Sequence, residues 1–231
     1  QTVNANATTD AQVLTLAGTH NVTVSLVAGD LTSTSSGNIT VNATTGTNVI
    51  TTAGGADTID GGAGVDTIVS GGGADNVVGG AGNDTITGGA GVDNVQGGDD
   101  DDTLIVASAT DGGTAETYDG GNGADILDVT GTTSIDFSDD TLTAIETLNL
   151  ASGGQVTLTS AQYTGFTSGV TGAGGSETIT LTTALGGAAT LDADVETFIL
   201  AAGTNSVTSG ANGQTVNANA TTDAQVLTLA G

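Results

Sequence analysis

Aliphatic residues recur at every ninth position in one stretch of the chain, between Thr52 and Ile105. In six consecutive blocks of nine residues, an aliphatic residue stands at the eighth place and follows a Thr or Asn. These residues are Ile59, Ile68, Val77, Ile86, Val95 and Leu104. Because side chains alternate between the two faces of a strand, one such residue per block predicts a strand of about three residues with a single inward side chain.

An acidic residue occupies the sixth place of each block, two positions before the aliphatic residue. These residues are Asp57, Asp66, Asp75, Asp84, Asp93 and Asp102. Glycines fill most of the first four places, so the pattern reads G-G-x-G-x-D-x-U-x, where U is aliphatic. Glycine allows tight turns and lets backbone carbonyls approach a small ligand. Two blocks make one turn of a coil, so alternate Asp residues stack along opposite edges.

Stacked carboxylates at strand spacing, about 4.8 Å, repel one another unless a cation lies between them. A flexible cage of carboxylate and carbonyl oxygens suits calcium better than magnesium, and the lack of Cys argues against zinc. We therefore expect several calcium ions as cofactors. The expected ligands are the six Asp side chains above, those of Asp125 and Glu116, and the backbone carbonyls of Gly62, Gly64, Gly80, Gly82, Gly89 and Gly91.

Two further blocks follow a short interruption of the frame: Glu116 belongs to 111–119 and Asp125 to 120–128. Before the six blocks, the stretch 43–51 keeps the frame with Asn48 at the acidic place. The frame therefore extends beyond the six regular blocks in both directions, with weaker loops.

The six blocks resemble the RTX (repeats-in-toxin) family of calcium-binding nonapeptide repeats. The resemblance implies a parallel β-roll with calcium between successive loops. We expect an all-β fold, a right-handed parallel β-solenoid (β-roll or β-helix) with calcium-binding nonapeptide loops. A glycine-rich linker, the alternative, needs neither the Asp register nor the aliphatic one. The blocks depart from the family pattern at Thr52 and Ala53 and at the acidic run 99–101, where we expect weaker binding.

The chain divides into four sections by pattern. Residues 1–51 read as β-solenoid rungs without calcium loops, 52–128 as the calcium-binding β-roll, and 129–213 as further rungs in two halves of about fifty residues. The segment IETLNL, at 145–150, resembles the solenoid parts of bacterial surface-layer proteins and large RTX adhesins. A short helical turn is expected over 160–166, with its aromatic residues plugging the coil.

Residues 214–231 repeat residues 1–18 without a single difference, at an offset of 213. We interpret 214–231 as the start of the next unit of a tandem array. An exact duplication flanking one unit is the alternative. The array is favoured because the repeated segment is strand-like, and a solenoid normally covers its end with an atypical repeat. Tandem continuation or self-association into a filament or array is therefore expected.

The charge excludes several classes of partner. Lys and Arg are absent and Asp and Glu number 26, giving a formal charge of −26. Carboxylates therefore have no basic side chain to pair with, and nucleic acid is excluded as a partner because its phosphates would be repelled. With few aromatic residues, a thin solenoid is favoured over a thick globular core. No apolar run is long enough to predict membrane insertion, and no N-terminal leader is seen.

The sequence offers few combinations of side chains that could support catalysis, and we predict that the chain is not an enzyme. His20 is the one imidazole and lies in a polar turn. Asp139 and Asp140 could suggest a glycosidase pair, but neighbouring residues on a strand point to opposite faces.

The sequence thus predicts an extracellular, calcium-stabilised structural repeat protein that folds on binding calcium after secretion. A surface layer, a matrix filament and an adhesin stalk all fit, at a bacterial cell surface reached by type I secretion. Two alternatives stay open: the calcium-binding folding module of a secreted RTX enzyme, and an adhesin or ice-binding module with a ligand-binding face.

Overall fold

The computed structural model describes residues 2–5, 13–107, 115–131, 134–186, 188–203, 205–208, 214–218 and 225–228. These residues form an all-β parallel solenoid of about ten turns, with one short helix. The predicted all-β parallel solenoid is confirmed.

The strands of the first part of the chain run up to Ile105. They are β1 (Thr2–Ala5), β2 (Val13–Leu16), β3 (Val22–Leu26), β4 (Asp30–Ser33), β5 (Ile39–Ala43), β6 (Val49–Thr51), β7 (Thr58–Ala63), β8 (Thr67–Val69), β9 (Asn76–Ala81), β10 (Thr85–Thr87), β11 (Asn94–Asp99) and β12 (Thr103–Ile105).

The second part of the chain adds further strands and the helix α1. They are β13 (Thr117–Asn122), β14 (Ile126–Val129), β15 (Ser134–Asp136), β16 (Thr141–Thr143), β17 (Thr147–Leu150), β18 (Gln155–Leu158), α1 (Ser160–Gly165), β19 (Gly169–Gly172), β20 (Thr178–Leu181), β21 (Ala188–Thr190), β22 (Thr197–Leu200), β23 (Asn205–Thr208), β24 (Thr215–Ala218) and β25 (Gln225–Thr228).

Each turn contributes one strand to each of two facing sheets. The first sheet has the order β1-β3-β5-β7-β9-β11-β13-β16, and the second has the order β19-β17-β14-β12-β10-β8-β6-β4-β2. Towards the C-terminus these give way to a five-stranded sheet, β15-β18-β20-β22-β24, and a three-stranded one, β21-β23-β25. Both long sheets run without a break from the first rungs into the nonapeptide blocks.

Strand register places like residues on top of one another. In the second sheet Ile86 pairs with Ile68 on one side and with Leu104 on the other, each 18 residues away. These residues are fully buried, and so are Val77 and Val95 in the facing sheet. The core of the nonapeptide section is therefore two columns of aliphatic side chains, one from each block of a turn.

Within the nonapeptide section, the strands on the two sides of the solenoid differ in length. Those of the second sheet, such as β8 and β10, have three residues, as the pattern predicts. Those of the first sheet, such as β7 and β9, have six, because the glycines that follow the predicted strand also pair in register, Gly62 with Gly80. Without Cβ atoms, successive loops on this side approach closely enough to continue the ladder.

Aromatic side chains fill the core beyond Ile105, where the turns become longer. Tyr118 and Phe137 pack edge to face with ring centroids 6.2 Å apart, and Tyr163 of α1 packs in the same way on Phe198 at 5.8 Å. The helix begins with a capping box between Thr159 and Gln162. The predicted helical turn and its plugging aromatic residues are confirmed.

Replacing Ile86 with Ala should destabilise the calcium-loaded chain by about 2–5 kcal/mol, because the cavity would lie between two stacked side chains that cannot collapse into it. Val65, which is 54% exposed, provides the control, and Val65→Ala should change stability little. Equilibrium urea unfolding followed by circular dichroism measures both variants. Equal effects of the two substitutions would contradict the stacked core.

Candidate metal-binding ladders

The acidic residue of each block stands immediately before a strand and bonds to the turn before it. In the first ladder, Oδ1 of Asp75 accepts a hydrogen bond from the backbone N–H of Asp57 at 2.8 Å, and Oδ1 of Asp93 accepts one from Asp75 at 2.8 Å. Glu116 and then Asp140 continue this ladder, at 2.9 and 2.8 Å. Carboxylates of alternate blocks are therefore stacked along one edge.

The second ladder repeats the arrangement along the opposite edge. Its bonds run from the N–H of Asn48 to Asp66 at 2.7 Å, from Asp66 to Asp84 at 2.8 Å, from Asp84 to Asp102 at 2.7 Å, from Asp102 to Asp125 at 2.8 Å, and from Asp125 to Glu146 at 2.8 Å. The structure thus places all eight predicted acidic residues in two ladders. Their role as calcium ligands stays a prediction.

One oxygen of each Asp carboxylate in the second ladder remains without a hydrogen-bond donor. Asp66, Asp84, Asp102 and Asp125 are at most 2% exposed. Within the described part of the chain, no hydrogen-bond partner reaches their buried Oδ2 atoms. Burying an anionic oxygen without a donor is costly, and the chain has no Lys or Arg that could neutralise it. Such an atom is suited to a metal ion.

The glycine at the first place of a block leaves a space beside that oxygen. A Cβ atom on Gly61 would lie 2.8 Å from Oδ2 of Asp66 and 2.5 Å from the carbonyl oxygen of Gly79 in the next turn. Gly79 and Gly97 have corresponding neighbours one turn further along. Any side chain at these places would occupy a space bounded by a carboxylate oxygen and a carbonyl oxygen. These glycines were missing from the predicted ligand set.

The six predicted loop glycines all adopt positive φ, between 92° and 145°; they are Gly62, Gly64, Gly80, Gly82, Gly89 and Gly91. A Cβ atom on Gly80 would collide with the carbonyl oxygen of Gly62, and one on Gly82 with that of Gly64. The carbonyls of Gly62 and Gly64 thus point into the narrow gap between turns. Only glycine allows both the backbone conformation and this close approach.

Burial strongly perturbs the acidity of the ladder. It raises the pKa of Asp84 to about 6 and that of Asp102 to about 7, although backbone N–H donors from the preceding turn lower both. Repulsion from Asp66 adds to the increase for Asp84, and repulsion from Asp84 and Asp125 adds to that for Asp102. Burial also raises the pKa of Asp75 to about 6. Charge in the ladders is therefore unfavourable unless a cation compensates it.

Together these residues fit calcium, which takes six to eight hard oxygen ligands in flexible geometry. Among the described residues, no three His, Cys, Asp or Glu side chains form a group that could hold a metal ion. One or two carboxylates per ion would therefore be combined with loop carbonyls. When bound, calcium supplies the positive charge that stacked carboxylates need.

Four acidic residues outside the nine-residue frame also accept hydrogen bonds from the preceding turn and were missed as ligand candidates. They are Asp140, Glu146, Glu177 and Glu196. The first two continue the ladders, and the last two precede strands of the five-stranded sheet. Longer turns shift them out of the frame, since Asp140 follows Glu116 by 24 residues. A signal was nevertheless present: each is followed by Thr and then by an apolar residue, as in most nonapeptide blocks.

The acidic loop at 99–101 keeps the backbone path of a regular block. Asp100, at the place of the fourth-position glycine, has φ of 76°. A left-handed conformation is tolerated by Asp better than by most residues. The carboxylate of Asp101 accepts a hydrogen bond from the N–H of Ala124 at 2.9 Å. The expectation of weaker binding at this end stays a prediction.

A parallel solenoid with two ladders of buried carboxylates and glycine loops defines a calcium-binding β-roll. The family model of the RTX calcium-binding nonapeptide repeat (4 copies) matches residues 35–68, 42–77 and 69–104. The segment 35–104 therefore consists of RTX calcium-binding nonapeptide repeats, which bind several calcium ions per array. The resemblance seen in the sequence is confirmed, and the chain is a structural calcium-binding repeat protein.

Searches of curated proteins and of solved structures found no significant match to the chain. No helix among the described residues is long and apolar enough to cross a membrane.

In the presence of a chelator, the chain should gain β structure as the pH falls from about 8 to about 4.5. The pKa values of Asp75, Asp84 and Asp102 are raised on folding from 3.8 to about 6 or 7, so protonation favours the folded state. This contribution is fully present below about pH 4 and is lost as the pH rises through 6 to 7. Far-ultraviolet circular dichroism follows the change.

With saturating calcium the pH dependence should reverse, and the chain should lose β structure as the pH falls. Protons then compete with the ion for the same oxygens. A metal-free chain that is equally folded at pH 4.5 and pH 8 would contradict this account of the ladders.

Proposed function

We propose that the chain is an extracellular, calcium-stiffened structural module that folds when it binds calcium after secretion. The observation that carries the proposal is the pair of carboxylate ladders, buried in a chain that has no basic side chain except His20. A bacterial surface layer, a matrix filament and the stalk of a large adhesin are the settings that fit such a module.

The mechanism is coupled folding and binding. At low calcium the carboxylates repel one another, and the thin aliphatic core does not offset that repulsion. At the millimolar calcium typical outside cells, ions bridge successive turns and the core closes, so the binding free energy becomes folding free energy. Export of an unfolded chain by a type I route, followed by folding outside, is consistent with this order of events.

A structural role is supported over catalysis by the placement of the candidate catalytic groups. His20 is exposed in its turn, whereas Asp140 is buried in the first ladder and Asp139 is exposed. The alternative, a folding module of a secreted RTX enzyme, requires a catalytic domain encoded elsewhere in the same gene. An adhesin or ice-binding module requires a regular, exposed recognition face.

The duplicated segment supports continuation of the solenoid. Strands β1 and β24 have the same sequence, TVNA, and in the described residues β1 pairs with β3 while β24 ends its sheet after β22. In a following unit, the residue equivalent to Val22 would stand 213 residues later, four residues after Gly231, and its strand would pair with β24 as β3 pairs with β1. We propose that units of 213 residues stack in this way into one continuous coil.

Calcium titration of the full chain tests the coupled folding. The β signal in circular dichroism should appear with calcium at pH 7.5 and disappear on chelation. Replacing both Asp75 and Asp93 with Ala should raise the calcium midpoint by about tenfold or more, since even the loss of an outer-shell partner commonly costs about that much in metal affinity.

The matched control replaces Asp139 and Asp194, two exposed carboxylates, with Ala. It removes the same charge but should leave the midpoint within about twofold of the original, as expected for weakly coupled surface charges. A chain that folds fully in chelator at pH 7.5 would contradict the proposal.

The array proposal is tested with a chain of two periods, in which residues 19–231 are repeated after Gly231. About ten turns at roughly 4.8 Å each give a rod of roughly 50 Å per period. Electron microscopy in calcium should show a single rod of twice that length. Two separate bodies joined by a flexible connection would contradict a continuous coil.

A further inference from the structure

Glu177 lies in the C-terminal rungs, far from the matched residues 35–104, yet its surroundings repeat those of a ladder Asp. Its side chain is fully buried. Oε1 accepts a hydrogen bond from the backbone N–H of Gly153, one turn earlier, at 3.3 Å. Oε2 is buried, and the described residues contain no hydrogen-bond partner for it.

The glycine arrangement around Glu177 also matches that of the nonapeptide blocks. Residues 172–177 read GAGGSE, with glycine at the first and fourth places and the acid at the sixth. A Cβ atom on Gly172 would lie 3.1 Å from the carboxyl carbon of Glu177 and 2.9 Å from the carbonyl oxygen of Asp194 in the next turn. As beside Gly61, the missing side chain leaves a space between a carboxylate and a carbonyl oxygen.

A second carboxylate reaches Glu177 from the next turn. Oε2 of Glu196 accepts a hydrogen bond from the backbone N–H of Glu177 at 2.9 Å, so the two acids are consecutive members of one ladder. Their carboxyl groups are close enough to perturb each other's pKa. Burial raises the pKa of Glu177, and the contact with Glu177 lowers that of Glu196. Two such groups require either a shared proton or a cation.

We infer that Glu177 and Glu196, together with the carbonyl oxygen of Asp194, bind a calcium ion that lies outside the nonapeptide repeats. The buried oxygen without a donor and the space beside Gly172 point to an ion, and a set made only of hard oxygens favours calcium. The ion would join the turn of β20 to that of β22. The inference rests on the proposed calcium-dependent function and extends it to rungs in which the sequence predicted no ligand.

The number of calcium ions bound by the full chain at pH 7.5, measured by equilibrium dialysis and metal analysis, tests the inference. The variants Glu177→Gln and Glu196→Gln should each bind one ion fewer than the unaltered chain, and the double variant should also lose only one, because both acids hold the same ion. Asp139→Asn removes an exposed charge that belongs to neither the ladders nor this pair, so its count should be unchanged.

Circular dichroism in calcium verifies that each variant folds. If Glu177→Gln does not fold, the half-buried Glu196 still provides the test, since its replacement disturbs the core less. An unchanged count in Glu196→Gln would overturn the inference, because the pair would then share a proton. That result leaves the proposed function intact, whereas an unaltered chain that folds without calcium would overturn the proposed function itself.

Discussion

Buried negative charge without an internal counterion is the constraint on which this structure depends. Parallel strands in register place each acidic residue directly above the equivalent residue of the next turn, as with Asp66 and Asp84. In Asp66 and Asp84, backbone N–H groups bond one oxygen, and the described residues supply no hydrogen-bond partner to the other. The proposed coupling of folding to calcium follows from this geometry.

Glycine makes the same geometry receptive to an ion. At the first place of a block it leaves space beside the carboxylate, as Gly61 does beside Asp66, and in the loops it allows carbonyls to approach the next turn. A chain with larger residues at these places could still stack its aliphatic core. It could not bring carboxylate and carbonyl oxygens together around a small volume, so the glycine and Asp registers serve one purpose.

The ladders continue along the chain after the nine-residue frame has ended. Beyond Ile105 the spacing between successive stacked acids lengthens from 18 residues to between 19 and 24, and aromatic side chains such as Tyr118 and Phe198 fill the wider core. Acidic residues nevertheless continue to stand before strands and bond to the preceding turn. The site proposed at Glu177 and Glu196 would extend calcium binding to rungs that carry no nonapeptide.

The sequence by itself determined the fold class, the inward aliphatic column and the alternation of Asp57, Asp66 and their successors between two edges, because a strict period of nine translates directly into stacking. Only the tertiary structure decided which oxygens lack a donor, why Gly61 and its equivalents matter, that Asp140 and Glu146 extend the ladders, and that Glu177 meets Glu196. Those features depend on contacts between turns, and where insertions make the turns unequal, spacing along the chain no longer reports which residues meet.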